Sequence, residues 1–595
     1  MRFMLFRGFF LIGGCLLYLT NTVYAQTNLT QRLLDFTGPL KPVPKPSLPS
    51  TGEITDKDLL TYHKIFALQK EEKWESADLL IETLEDKRLL GYILRDRYLH
   101  PTGYTSSYKE LKSWMDSYAD HAGADRIYKL AKRKGGAGSV KRPKEVQTVH
   151  RYIDITSDSK SLYGRGEYRS DNQKSAFQSL AKRIREKTRN ERPTQALEIL
   201  NSNRQRLTTL DYNRLKSRIA ASYMHEGKIS RAQVLAKEAV ERAGQKVPLG
   251  AWVAGLSSWR KNDFESAAKF FEVAASSQYA NAWTRSGGAF WASRSHMRMG
   301  NFRAVSLWLN RAASEPRTFY GLIATRALSR KLDFDWEIGA PSYNQKVILA
   351  RTDAGVRGLA LLRLKRYNDA EHEFRFVEKT EALDVRRAII PVAEAIGSPG
   401  IAWRGASYLI YRNQDNVPLA AQYPIMRWQY PGPYQVDKAL LHAVIRQESK
   451  FNPKAGNPSG ASGLMQLLPS TARGVMGSRT YDNAGGQQAL YNPEFNLRAG
   501  QKYVHELFKT HVPNRNLFDL LIAWNAGPGN LKRWRRNLKS INDPLLFIET
   551  IPVAETRAFV ERVMTNYWMY QDRFGRPTPS LDAVAEGKWP IYFGR

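Results

Sequence analysis

Between about residues 54 and 395, apolar positions recur every three or four residues and period-two alternation is scarce. That spacing predicts a long run of helices and little strand. A local pattern repeats within it: Trp74-x-x-Ala77, Ile229-x-x-Ala232, Phe264-x-x-Ala267 and Tyr367-x-x-Ala370, with Phe302 followed by Ala304 and Val305 in a similar frame. Several copies follow a turn-like pair, as in Gly227-Lys228, Asn262-Asp263 and Gly300-Asn301. A large apolar residue with a small one three positions on lets neighbouring helices approach closely. The spacings of 35 from Ile229 to Phe264 and 38 from Phe264 to Phe302 suit stacked helix pairs.

This helical region resembles a degenerate tetratricopeptide-type solenoid. An irregular helical domain would show the same periodicity, and both are all-α. Around Asn413 to Pro433 the pattern breaks, where Pro418, Pro424, Pro431 and Pro433 cluster with Trp428 and Tyr430. The expected organisation is therefore a helical domain at 54–395, a linking region at 396–434 and a compact domain at 435–595. Ahead of them, residues 26–53 are proline-rich and read as an extended leader.

The first 25 residues carry Arg2 and Arg7, an apolar run from Gly8 to Leu19, and Val23-Tyr24-Ala25. These are the parts of a secretory signal peptide cleaved after Ala25, and the run is short for a membrane span. No later stretch approaches a span, so a soluble, exported chain is expected. Leu11-Ile12-Gly13-Gly14-Cys15 faintly resembles a lipoprotein cleavage box, a minor alternative because apolar residues continue to Leu19. Cleavage after Ala25 would remove Cys15, the only cysteine, leaving no disulfide and no thiolate chemistry. The formal charge is +33, and +31 once Arg2 and Arg7 are removed (33 − 2). Such a field favours an anionic partner. Export turns that expectation from nucleic acid to a cell-wall polymer or a membrane surface.

Candidate chemistry lies in the last third of the chain. Leu440, Leu441, Val444 and Ile445 form the apolar stripe of a helix, and Glu448 falls on the same face, four residues after Val444. Asn452-Pro453 is expected to close the helix. A carboxyl group at a buried helix end tends to stay protonated, as a general acid near neutral pH requires. Two glycine-rich, amide-bearing segments follow, Gly460 to Pro469 and Ala523 to Gly529. Gln466 offers a donor and an acceptor to an acetamido or hydroxyl group, or braces its own loop. Ser449 could serve the carboxyl, a glycan or the helix end. Asn525 reads as holding backbone or substrate, and Asp482 and Glu494 as turn and first-turn residues. No metal site or cofactor is expected.

Glu448-Ser449, Gly463-Leu464-Met465-Gln466 with Pro469, Trp524-Asn525-Ala526-Gly527-Pro528-Gly529 and Glu555-Thr556-Arg557, in this order over roughly 435 to 572, resemble the soluble lytic transglycosylase family. The resemblance implies a lysozyme-like, mostly helical domain. It also implies non-hydrolytic, exo-type cleavage of the β-1,4 bond between N-acetylmuramic acid and N-acetylglucosamine in peptidoglycan, leaving a 1,6-anhydro end. By position it makes Glu448 the catalytic acid and then base, with Ser449, Gln466, Leu468, Trp524, Asn525 and Glu555 on the glycan. It further implies a periplasmic setting, peptidoglycan strands as substrate and cell-wall synthesis proteins as candidate partners. Trp524 and Phe559 stand where the family typically has tyrosine, and Leu468 where some members have methionine. A hydrolytic muramidase on the same fold, or a non-catalytic glycan-binding scaffold, are the competing readings.

Overall fold

The computed structural model describes residues 54–135, 140–144, 170–379, 382–426, 434–477 and 484–594. The expected signal segment, Cys15, the proline-rich leader and Asp482 lie outside these residues. Among the described residues the chain is helical, with no strand and only three isolated bridges, two of them around Ser462. The fold class is all-α, as the periodicity indicated.

The helical repeat has a definite stereochemical signature. Two residues ahead of each large apolar residue, the backbone turns left-handed: Glu72 before Trp74, Gly227 before Ile229, Asn262 before Phe264, Gly300 before Phe302 and Lys365 before Tyr367. Each turn is closed by a hydrogen bond reaching back five residues, such as Lys228 to Tyr223, Asp263 to Ser258, Asn301 to His296 and Arg366 to Leu361. This is the helix-ending geometry that satisfies the last free carbonyls. Three residues after each large residue the small one is buried: Ala77, Ala232, Ala267 and Ala370, with Val305 in the fifth copy. Two further copies share the turn and the buried alanine, Glu191 to Ala196 and Gly397 to Ala402. Proline replaces the large residue in both, at Pro193 and Pro399, which hides them from a search for apolar residues. The second begins the helix Pro399–Tyr411, inside the stretch expected to link domains.

The described residues fall into two compact units. One is built from the described residues within Met1–Tyr152 and Glu337–Arg427. Its core joins Tyr62, Ile65 and Tyr92 to Leu361, Phe374 and Ile389. Within that core the buried Glu373 accepts from Tyr92 Oη at 2.6 Å and from Arg357 Nε at 2.7 Å. Two donors of this kind offset the cost of burying a carboxyl group away from water.

The other unit combines the described residues within Ile153–Trp336 and Trp428–Arg595. Its helices Phe264–Ser276 and Ala282–Arg298 approach so closely that a Cβ on Gly288 would lie 2.7 Å from the Ala275 amide nitrogen. The C-terminal segment fastens to the following helix, Phe319–Ala327, through the ring of Phe319 stacked on Trp568 at 5.3 Å. Tyr320 Oη donates to Glu549 at 2.6 Å, and Trp336 Nε1 donates to Asp572 at 2.8 Å.

Candidate active site

The helix Lys438–Glu448 presents its apolar stripe to the core: Leu440, Leu441, Val444 and Ile445 are all buried. His442 and Arg446 are buried as well, so the helix is enclosed from Ala439 to Arg446, and only Lys438 at its start and Gln447 and Glu448 at its end reach solvent. Asp437 caps its start, accepting from the Ala439 amide, from Tyr567 Oη and from Arg576. Arg446 Nη1 donates to Asn566 Oδ1 at 2.8 Å on the long helix Ala554–Arg573. These anchors fix the rotation of the helix, and with it the direction in which Glu448 points.

The helix stops at Glu448 itself, earlier than Asn452-Pro453 suggested. Ser449 caps it, its amide and its hydroxyl both donating to the Ile445 carbonyl at 3.0 and 3.2 Å. Lys450 and Phe451 then turn left-handed in succession. The Ser449 hydroxyl thus satisfies the helix end and makes no bond to the neighbouring carboxyl.

Glu448 is half-buried with an ordinary carboxyl pKa pushed up to about 7. Burial is the main cause. The hydrogen bond from Trp524 and the charge of Lys450 oppose it, while the charge of Glu555 adds to it. Trp524 Nε1 donates to Glu448 Oε1 at 2.9 Å, so the indole touches the carboxyl directly. The other face of Trp524 lies against Tyr503, ring centres 5.2 Å apart. Asn525, next along the helix Leu517–Ala526, accepts from the Thr556 hydroxyl at 2.7 Å and so ties this helix to the start of Ala554–Arg573. Glu555, in that first turn, is exposed and forms no ion pair with Arg557 or Arg562 among the described bonds. Arg557 is turned inward instead, onto the carbonyls of Ile551 and Pro552.

The loop between Ala455 and Leu467 follows the end of the Glu448 helix and is braced by its own bonds. Ser462 and Leu467 exchange backbone hydrogen bonds, and the Gly463 amide donates to Ala455. Gln466 sits left-handed, and its side-chain nitrogen donates to the Ala455 and Gly463 carbonyls at 3.0 and 2.9 Å. Its donor therefore braces the loop, and its oxygen is left toward solvent. Leu468, 40% exposed, offers an apolar surface at the head of the helix Pro469–Met476.

Asn496 holds this loop from behind, and sequence reasoning missed it. It is fully buried, accepts from the Met465 amide at 2.8 Å and donates to the Ser462 and Leu490 carbonyls at 3.0 and 2.9 Å. A signal was present: Asn496 heads the stripe Gly500, Val504 and Leu507 on one helix face. An amide in such a stripe needs partners. Tyr503 was also missed, and a single half-buried tyrosine on a helix offers no comparable cue.

Residues 429–546 match the family described as "Transglycosylase SLT domain". The chain is similar to the "Soluble lytic murein transglycosylase" of Escherichia coli K12, 33% identical over 173 residues, 29% of this chain and 26% of that protein. It is similar also to the protein of the same description from Salmonella typhimurium, 32% identical over 163 residues, 27% of this chain and 25% of that one. The matched part thus spans about a quarter of these relatives. An X-ray structure of an inactive mutant of the lytic transglycosylase Slt from Pseudomonas aeruginosa superposes with a TM-score of 0.50 at 19% identity. That likeness covers 90% of this chain and 89% of the other, and shows a shared fold.

Proposed function

We propose that this chain, whose residues 429–546 match the transglycosylase SLT domain, is a soluble lytic murein transglycosylase that cleaves the β-1,4 MurNAc–GlcNAc bond of peptidoglycan without water, acting from strand ends in the periplasm. The observation that carries this reading is Glu448: one half-buried carboxyl at the end of its helix, held protonated to about pH 7 and touched by Trp524. The carboxylic acid gives its proton to the glycosidic oxygen as the bond from C1 to that oxygen breaks. The resulting carboxylate takes the proton of the C6 hydroxyl while O6 bonds to C1. Glu448 ends protonated, ready for the next bond, and no water is consumed. One residue near pKa 7 is suited to both steps, because neither protonation state is far out of reach. The neighbouring acid, Glu555, is exposed, and its charge adds a smaller upward push to the one that burial gives Glu448.

Trp524 has a definite part in this scheme. Its N–H stabilises the carboxylate that forms after the first proton transfer, doing with a donor what a tyrosine hydroxyl would do. Gln466 Oε1 and Leu468 supply an acceptor and an apolar face to the sugars. Asn525 and Ser449 hold the framework around Glu448. The site is proposed within residues 435–595.

Mass spectrometry of the products from purified murein tests the reaction: 1,6-anhydro ends are expected, and reducing ends would show that water attacks instead. A second test concerns pH. Because Glu448 must start protonated, the rate should fall as pH rises past about 7. Trp524→Phe keeps a ring beside Tyr503 but deletes the donor that lowers the Glu448 pKa. The alkaline limb should therefore move to higher pH, while the rate near neutrality falls about tenfold, the worth of one hydrogen bond to a charged group. A limb that stays in place or moves down would show that the indole does not act on the carboxyl.

A further inference from the structure

The helix Pro528–Asn537 begins four residues beyond Trp524, whose indole touches Glu448. From Leu520 to Asn542 the chain has five cations, Lys532, Arg533, Arg535, Arg536 and Lys539, and no carboxylate. The acids on either side of this stretch are engaged elsewhere. Asp519 is gripped by Arg535 through two bonds of 2.8 Å, and Asp543 pairs with Arg294 at 2.5 Å. Arg535 itself turns inward, its guanidinium 4.2 Å from the ring centres of both Phe547 and Trp589. Leu531 and Trp534 bury the inner face of the helix.

The other four cations are exposed, and none forms an ion pair among the described residues. Lys532 and Arg536 stand one turn apart on the same face, with Arg533 beside them, and Lys539 follows just after the last helical residue. Like charges at that spacing repel, and Lys532 lies too far from the helix C-terminus to gain from its dipole. Arg536, in the last turn, gains from the dipole, whereas Lys532 and Arg533 have no such reason to be there. Along the axis Lys532 and Arg536 are about 6 Å apart, close to the roughly 6.6 Å between same-side groups of an extended peptide.

We propose that this basic face binds the free carboxylates of the stem peptides borne by the glycan strand, holding a peptide-bearing strand as it passes Glu448. The inference rests on the reading of the substrate as peptidoglycan. A peptide partner is favoured over an anionic membrane because the helix that carries the stripe begins four residues beyond Trp524, which touches Glu448, so a strand held at Glu448 brings its peptides near this helix.

The test uses the full chain carrying Lys532→Gln, Arg533→Gln and Arg536→Gln together, with two substrates: glycan strands bearing their peptides, and the same strands stripped by an amidase. All three side chains are exposed, so the variant should melt with the unaltered protein. On peptide-bearing strands KM should rise about threefold or more, the worth of three exposed charge pairs. On stripped strands it should match the unaltered protein, and the salt dependence seen with intact strands should shrink. Equal losses on both substrates, no loss on either, or an unaltered protein indifferent to the peptides would overturn the proposal. Loss of binding to anionic vesicles, with murein binding retained, would assign the face to a membrane and overturn it as well. Co-sedimentation of Glu448→Gln protein with intact and stripped murein reads the same contacts without cleavage. Failure of the cleavage reaction thereby stays distinguishable from failure of the peptide contact.

Discussion

Glu448→Gln should reduce murein cleavage by about 10⁴-fold, the upper end for loss of proton transfer, because one residue performs both transfers. The amide keeps the size of the carboxyl and can still accept from Trp524 Nε1, so the cleft geometry should persist. Stability should respond in the opposite sense. A carboxyl whose pKa is raised on folding from 4.5 to about 7 makes the folded state bind its proton more tightly. Stability is then full below about pH 4.5 and lost as pH rises to about 7. The loss is at most about 3 kcal/mol, since solvent reaches the open side of the cleft. Glu448→Gln removes that cost, so its melting temperature should exceed that of the unaltered protein at pH 8 and match it near pH 4. Clearing of a murein gel equal to that of the unaltered protein would end the catalytic assignment. A melting difference that grows toward low pH would contradict the buried-acid description.

The carboxyl was legible in the sequence because helical periodicity fixes which residues share a face, and Val444, Ile445 and Glu448 share one. What periodicity does not encode is where a helix stops when no proline intervenes. The Ser449 cap and the left-handed Lys450 and Phe451 end the Glu448 helix by backbone geometry, which the apolar pattern cannot report. The repeat was legible for a similar reason, through large and small residues three apart. Its two missed copies lost the large residue to Pro193 and Pro399, yet kept the turn and the buried alanine. In both cases the backbone turn is the conserved physical event, and the side chain preceding it is only a frequent companion. Side-chain hydrogen bonds across distant segments were least legible. Gln466 could be read as binding sugar or bracing a loop, and its nitrogen braces the loop. The bond from Trp524 to Glu448 joins residues 76 positions apart, which no local pattern specifies.

Gly463→Ala should destabilise the C-terminal segment by about 3 kcal/mol or more, whereas Gly460→Ala should cost about 1 kcal/mol. Both glycines are left-handed, at φ +80° and +85°, so both substitutions incur the same backbone strain. Their surroundings differ. A Cβ on Gly460 meets no heavy atom within 4 Å, while one on Gly463 would lie 2.0 Å from the Leu490 carbonyl oxygen and 2.3 Å from Asn496 Nδ2. Neither obstacle is the free end of a flexible chain. Leu490 O is backbone, and Asn496 is held by three hydrogen bonds, so relief of the clash must break some of them at about 1 kcal/mol each, more where a buried group is left unpaired. The loop freed by that change carries Gln466 and Leu468, so the surviving folded protein should show a raised KM with Glu448 chemistry intact. Urea unfolding of the two variants gives the comparison. Equal costs would mean that strain alone governs the loop, and that Asn496 does not hold it. A large cost at Gly463 alone, reproduced by Asn496→Ala and not deepened when the two are combined, would show that one network holds the loop that carries Gln466.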